Sequence, residues 1–305
     1  MPVKSQLEIA GTQVEVSNLD KVFYPQTGFT KGQVIDYYIN VSPVLLPHLK
    51  NRPISLKRYP DGVNGFFFYE KECPPHRPKW IKTANVARKD GSEINYCVMN
   101  DLPALVWAAN LADLELHTFL HCAPRLETPT ALAFDLDPGA PADLVDCCRV
   151  AVWLREMFAE LKLECFPKTS GSKGMQVYVP INTPTNYEKT KAFAHAVAET
   201  LERKFPEVVV SKMQKALRAG KVFVDWSQND VHKTTVCVYS LRAKDHPTVS
   251  TPVTWDEVAA ALKKRNAAAL TFESGAVLKR VEKKGDLFAP VLTLKQKLPL
   301  FRAGS

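Results

Sequence analysis

The chain has 305 residues, 46% hydrophobic and 24% charged, and its 40 Lys and Arg against 32 Asp and Glu give a formal net charge of +8. No apolar run approaches the roughly 18 residues a membrane span needs, and the first residues lack the apolar core of a signal peptide, so a cytoplasmic protein is expected. The positive excess suits a polyanionic partner but does not require one.

The elements follow in chain order. Thr30 to Leu49 has helical spacing at Val34, Tyr37, Tyr38 and Val41, with Thr30 as its start signal. "RPISLKRYPDG" predicts a strand ending in a Pro-Asp-Gly turn, and "GFFFYEKECPP" predicts an extended aromatic stretch. Three consecutive phenylalanines cannot share one face of a strand, so at least one of Phe66, Phe67 and Phe68 is expected in the core. A hairpin is predicted around Lys89-Asp90-Gly91, then a helix running into a strand over "DLPALVWAANLADLELHTF". "TALAFDLDPG" reads as a strand and turn, followed by a long amphipathic helix over "PADLVDCCRVAVWLREMFAELKL". A strand follows at Val177 to Val179, then helices beginning in "NYEKTKAF" and "TWDEVAAALKKR". Between these helices lie a basic loop feeding a strand at "KVFVD" and a further strand over "TTVCVYSLRAK". Alternating helices and strands argue for an α/β or α+β fold, with no convincing place to cut the chain in two.

Seven cysteines without a Cys-x-x-Cys pair do not make a secreted disulfide framework. "CPPH" and "HTFLHC" admit a zinc reading, but buried thiols and a stiff Pro-rich loop are simpler.

The strongest local signal is "AFDLDPG". Alternate side chains of a strand share a face, so Asp135 and Asp137 point one way while Phe134 and Leu136 point into the core. Two adjacent carboxylates repel, and a divalent cation is the usual compensation; solvated aspartates capping a turn are the plainer alternative. Asp225 in "KVFVDWSQN" is a third acid at the end of an apolar strand, as two-metal phosphoryl chemistry requires. "SGSKGMQVYVP" resembles a phosphate loop, yet it runs into a strand and not a helix. Its backbone N–H groups can act as an anion nest, with Ser170, Ser172 and Lys173 as further donors and Arg242 as another candidate cation.

Taken together and in order, "FDLDP", "SGSKG" before a strand, "VDWSQN" and "YSLRA" resemble the polymerase domain of prokaryotic non-homologous end-joining ligase D, of the archaeo-eukaryotic primase (primase-polymerase) superfamily. The likeness extends to "NLDKVFYP", "TKGQVIDYY", "LKRYPDG" and "STPVTWDEV" and covers nearly the whole chain. It implies an α+β primase-polymerase fold with an RRM-like catalytic core and a second α/β layer. A single catalytic domain over residues 1–305 is expected, with no ligase or nuclease domain in this chain. It also implies template-dependent nucleotidyl transfer at double-strand-break ends, preference for ribonucleotides over deoxyribonucleotides, and two divalent cations, manganese before magnesium. The implied partners are DNA ends with a 5′-phosphate, NTPs or dNTPs, a DNA ligase and a Ku-type end-binding protein, with association with the nucleoid during repair.

Carried over residue by residue, the resemblance makes Asp135, Asp137 and Asp225 the catalytic metal ligands. It assigns Ser170, Lys173, Gly174, Arg242, Lys57 and His117 to the incoming nucleotide. It assigns Lys21 and Lys31 to the 5′-phosphate across a gap, Phe66, Phe67 and Phe68 to template bases, and Arg218 to a loop that organises the DNA end. One departure stands out: Gln176 occupies the place of a family histidine. Glutamine keeps a neutral donor for a phosphate oxygen but carries no charge. Arg88-Lys89-Asp90-Gly91 resembles the nucleotidylation motif of ligases, but Arg88 stands where the lysine is needed. Joining is therefore expected from another polypeptide or another part of the chain. The rival readings are a metal-dependent phosphodiesterase and a catalytically weakened end-binding module.

Overall fold

Several helices begin at a side chain that satisfies their first orphan N–H groups. In this computed structural model, which describes residues 4–299, Thr30 forms a capping box for helix Lys31–Leu49: Gln33 N–H donates to Thr30 Oγ1 (3.3 Å) and Thr30 N–H to Gln33 Oε1 (2.8 Å). Asp143 and Thr254 build the same box for helices Leu144–Glu160 and Trp255–Lys264, and Asn186 caps Tyr187–Lys204. Among the described residues no helix is long and apolar enough to cross a membrane.

The chain divides into two compact units, each assembled from three separate segments. The first contains the residues up to Pro124 with Thr234–Ser250 and Phe272–Asp286. Its sheet runs in the order Thr235–Val236, Asp113–Thr118, Pro53–Arg58, Glu93–Val98, Lys82–Ala87, all antiparallel, and Phe68–Glu70 pairs with the end of Pro53–Arg58. Helix Lys31–Leu49 buries Val34, Tyr38, Val41 and Leu45, and Tyr38 Oη donates to Leu114 O at 2.8 Å, tying the helix to the sheet. The Lys89-Asp90-Gly91 hairpin forms as expected, with Gly91 at φ +83°.

Two readings of this unit need correcting. Only Thr235–Val236 of "TTVCVYSLRAK" is regular strand. Tyr239 then turns the chain through φ +64°, and Ser240 to Arg242 pairs locally with Thr248 to Ser250. The strained residue is held at its side chain, where Tyr239 Oη donates to Asp286 (2.7 Å), which also contacts His48 Nε2 (2.9 Å). Cys73 and Cys97 are bridged rather than free, because Cys73 N–H donates to Asn95 O and lays the Pro-rich loop along strand Glu93–Val98. His117 binds Glu115 and His121 stacks on Phe119, so neither imagined zinc half is assembled.

The second unit contains Arg125–Lys233, Thr251–Thr271 and the residues from Leu287. Its central run is strand Ala131–Pro138, helix Leu144–Glu160, strands Phe166–Thr169 and Met175–Pro180, helix Tyr187–Lys204, then strands Val209–Val210 and Val222–Asp225. The sheet order is Phe166–Thr169, Met175–Pro180, Ala131–Pro138, Val222–Asp225, Val209–Val210. This β-α-β-β-α-β succession, with the first strand central, is the RRM-like core that the motifs imply. Phe134 and Leu136 pack under helix Leu144–Glu160, where Phe134 meets Phe158 at 5.3 Å between ring centroids.

The ladder beside Ala133 is completed by a side chain. Strand Val222–Asp225 stops opposite Asp135, and the fully buried Asn229 takes over: Ala133 N–H donates to Asn229 Oδ1 (3.0 Å) and Asn229 Nδ2 to Ala133 O (2.8 Å). Asn229→Ala leaves both backbone groups buried and unsatisfied, each costing about 1–3 kcal/mol. Urea unfolding should show a loss of several kcal/mol; a loss below about 1 kcal/mol would mean that Asn229 does not complete the strand.

Candidate active site

Four polar residues form one cross-strand row in the second unit. Lys168 lies opposite Gln176, Gln176 opposite Asp135, and Asp135 opposite Asp225. Residues opposite one another share a face, and Asp137 joins that face two residues along from Asp135. The three aspartates picked out in the sequence are thus brought to one surface by register alone. Burial pushes the Asp135 carboxyl up to about 7, with the Asp137 charge adding to it; a hydrogen bond from Gln176 opposes the rise, Asp225 adds to it, and the Lys168 charge opposes it.

Asp225 also does what its plainer reading foresees. Its Oδ1 accepts from Ser227 N–H (2.9 Å) and Ser227 Oγ (2.5 Å), and Oδ2 from Gln228 Nε2 (3.0 Å). Lys233 Nζ donates in turn to Ser227 Oγ. Among the described residues, no three His, Cys, Asp or Glu side chains stand as a finished metal cage. The donor chemistry still fits a hard dication: all three ligands are carboxylates, and Asp225 Oδ2 accepts a single hydrogen bond and keeps lone-pair capacity.

The 170–174 loop differs from an open nest. Ser170 N–H donates to Gly174 O (2.9 Å), while Ser172 and Gly174 N–H both donate to Ser170 Oγ (3.2 Å each). Three backbone N–H groups of the expected nest are therefore spent inside the loop, and Lys173 is left exposed at its tip. Gly174 is demanded by packing, since a Cβ there would stand 2.3 Å from Leu136 O on the aspartate strand. Gln176 lies against Asp135, behind the loop tip. Arg218 belongs to a loop laid on the Gly139 turn, where Gly139 N–H donates to Lys221 O (2.8 Å). Its guanidinium covers Phe223 at 3.7 Å and donates to Met213 O, while Met213 and Leu217 are exposed.

The first unit holds a separate cluster. Lys57, His117 and Arg242 gather around Glu115, whose Oε2 lies 3.2 Å from Lys57 Nζ, 3.0 Å from His117 Nε2 and 3.4 Å from Arg242 Nε. Ala243 N–H donates to Glu115 Oε1 at 3.1 Å. Burial would raise the Glu115 carboxyl, but the His117 hydrogen bond and the Arg242, His117 and Lys57 charges hold it well below the usual range. Burial lowers both Lys57 and His117. Rings fence Lys57 Nζ: Phe67 at 4.8 Å, Tyr59 at 5.3 Å and Tyr69 at 5.6 Å. Glu115 is the residue that reading the sequence missed; the available signal was two acids, Asp113 and Glu115, alternating inside an apolar strand.

None of the three phenylalanines is in the core, contrary to expectation. Phe66 and Phe67 are 73% and 47% exposed, and Phe68 is half-buried. Only Phe68 belongs to a strand, the short Phe68–Glu70, so the alternation argument has too little strand to act on. Phe66 stacks on Phe68 instead, and Phe67 on Tyr59. Lys31 is no surface lysine: it is 5% exposed, and its Nζ donates to Ser17 O at 2.7 Å. Burial, helped by the Lys21 and Arg58 charges, lowers its ammonium to about 8. Lys21 pairs with Asp61 at 2.8 Å beside an open cavity of about 490 Å³ lined by Ser5, Asn18, Leu19 and Asp20.

Comparison with known proteins identifies the family. Residues 30–288 match the family described as LigD, primase-polymerase domain. The multifunctional non-homologous end joining protein LigD of Mycolicibacterium smegmatis is 41% identical over 92% of this chain and 36% of its own length. The bifunctional LigD of Bacillus subtilis is 31% identical over 94% of this chain and 46% of its own. This chain thus spans less than half the length of these curated relatives. The polymerase domain of Mycobacterium tuberculosis ligase D, solved in complex with DNA, superposes with a TM-score of 0.85 at 38% identity, covering 92% of this chain and 98% of that one. The chain belongs to the LigD primase-polymerase domain family.

Proposed function

We propose that this chain is a template-dependent nucleotidyltransferase that fills gaps and extends primers at double-strand-break ends in non-homologous end joining, using ribonucleotides in preference to deoxyribonucleotides. The observation that carries the reading is the register that sets Asp135 opposite Asp225, with Asp137 on the same face. Asp135, Asp137 and Asp225 would hold two divalent cations, manganese before magnesium, which when bound supply positive charge against the attacking oxygen and the triphosphate. Lys57, His117 and Arg242 donate to phosphate oxygens, as do Lys173 and the Ser172 hydroxyl at the loop tip, while Ser170 and Gly174 hold the loop in shape. The Gln176 amide favours the ionised form of Asp135 against burial and the Asp137 charge. Lys21 and Lys31 take the downstream 5′-phosphate, Phe66 to Phe68 offer faces to template bases, and Arg218 steadies the loop that meets the DNA end. A DNA ligase and a Ku-type protein are the partners this role calls for.

The hydrogen bonds that tie up Asp225 favour one alternative, an end-binding module with weakened catalysis. A gap-filling assay separates the two readings. A gapped duplex with a 5′-phosphate, manganese and either NTPs or dNTPs should give templated extension favouring NTPs and release pyrophosphate. Tight phosphate-dependent binding without extension would support the module.

Asp135→Ala and Asp137→Ala should each abolish extension and leave end binding within about twofold; a variant that still extends would remove these residues from the chemistry. Asp135 must lose its proton to act, and the Gln176 amide lowers the pH at which it does so. Gln176→Leu removes that donor, so the acid limb of the rate profile should move to higher pH by up to about one unit. Gln176→His keeps a donor and should move it less, whereas unchanged profiles for both would free Asp135 from Gln176. The lowered pKa of Lys31 means that its charge is present below about 8 and fades above it. Preference for 5′-phosphorylated over unphosphorylated gaps, read by fluorescence anisotropy, should therefore shrink between pH 7 and pH 9. A constant ratio would exclude Lys31 from the phosphate contact.

A further inference from the structure

Glu115 is a negative charge set among the very cations assigned to phosphate. Judged by Coulomb's law alone, it should weaken any anion bound there. Its surroundings argue for another role. The carboxylate is 2% exposed, while Lys57, His117 and Arg242 are 13%, 12% and 15% exposed. These three side chains come from strand Pro53–Arg58, strand Asp113–Thr118 and the turn after Tyr239, and Glu115 contacts all three.

Both carboxylate oxygens are occupied. Oε2 faces Lys57, His117 and Arg242, and Oε1 accepts from Ala243 N–H, which fixes the backbone next to Arg242. An amide cannot replace this arrangement, because whichever way it turns, its NH₂ group confronts a donor. We propose that Glu115 is the positioning residue of the phosphate site: it trades some attraction for a fixed geometry, so that Lys57, His117 and Arg242 are set before the polyphosphate arrives. The idea rests on the nucleotide-binding reading of these three residues. It extends that reading from the donors to the buried carboxylate that sets them. Preorganised donors are worth more than mobile ones, because their ordering cost is met on folding.

The test reverses the sign expected from charge. Calorimetric titration with inorganic tripolyphosphate, without divalent metal, is compared for the wild-type chain, Glu115→Gln and Glu115→Asp. If Glu115 only repels, Glu115→Gln binds more tightly. If it positions, Glu115→Gln binds roughly tenfold or more weakly. Glu115→Asp, which keeps the charge but stands one methylene short, also weakens, and it covers the case in which the amide variant fails to fold. A second readout is the titration of His117 followed by NMR. The groups facing this ring are Glu115 on its own strand, Tyr69 at 5.6 Å, Lys57 and Arg242. Loss of the carboxylate should lower the His117 midpoint by about one unit. Equal or tighter binding by either variant, or an unmoved His117 midpoint in Glu115→Gln, would overturn the proposal. A wild-type chain that binds neither tripolyphosphate nor an NTP, with His117 still responding to Glu115→Gln, would overturn the nucleotide reading of the cluster and this one with it.

Discussion

Like charges held close on a buried surface set the terms for this protein. Asp135, Asp137 and Asp225 share one face because antiparallel register leaves no alternative. Their repulsion is met locally, by the fully buried Lys168, by the Gln176 amide, and by Ser227 and Gln228. The other cluster inverts the arrangement, with one carboxylate amid Lys57, His117 and Arg242. Each group of charges carries its counter-charge in the same unit, which lets it stay buried at a tolerable desolvation cost.

What could be read from the sequence was whatever depends on nearby residues. The capping boxes at Thr30, Asp143 and Thr254 are spelled within four positions, and the helices begin there. The facing of Asp135 and Asp137 follows from period-2 alternation, and the order of strands and helices in the second unit follows from counting elements. Partners far apart in the chain were not legible. Glu115 and Arg242 are separated by more than a hundred residues, and nothing local marks Glu115 as the centre of a cluster. Nothing local marks Lys168 either; register sets it in line with Gln176 and Asp135. The facing of Phe66 to Phe68 was not legible for a different reason: only the three residues Phe68–Glu70 are strand, too few for alternation to set which side chain is buried.

The Gln176 departure gains a physical meaning from its position. Read as a phosphate contact, glutamine is a poorer residue than histidine. Seen opposite Asp135, it is a neutral donor to a carboxyl already pushed up by burial. The substitution bears first on the ionisation of the aspartate strand and only then on the substrate.

Chain connectivity has a consequence for biogenesis. The first unit is completed by Thr234–Ser250 and Phe272–Asp286, after the core of the second unit has been synthesised. Arg242 thus reaches Glu115 only after the core of the second unit has been synthesised, and the earlier segment, which already carries Lys57 and His117, leaves the ribosome with its acid short of one partner. Contacts so distant in sequence carry a high loop-closure cost and slow folding. The β-α-β-β-α-β run between them carries all three aspartates, so on the growing chain every residue of the aspartate face has been synthesised before Arg242.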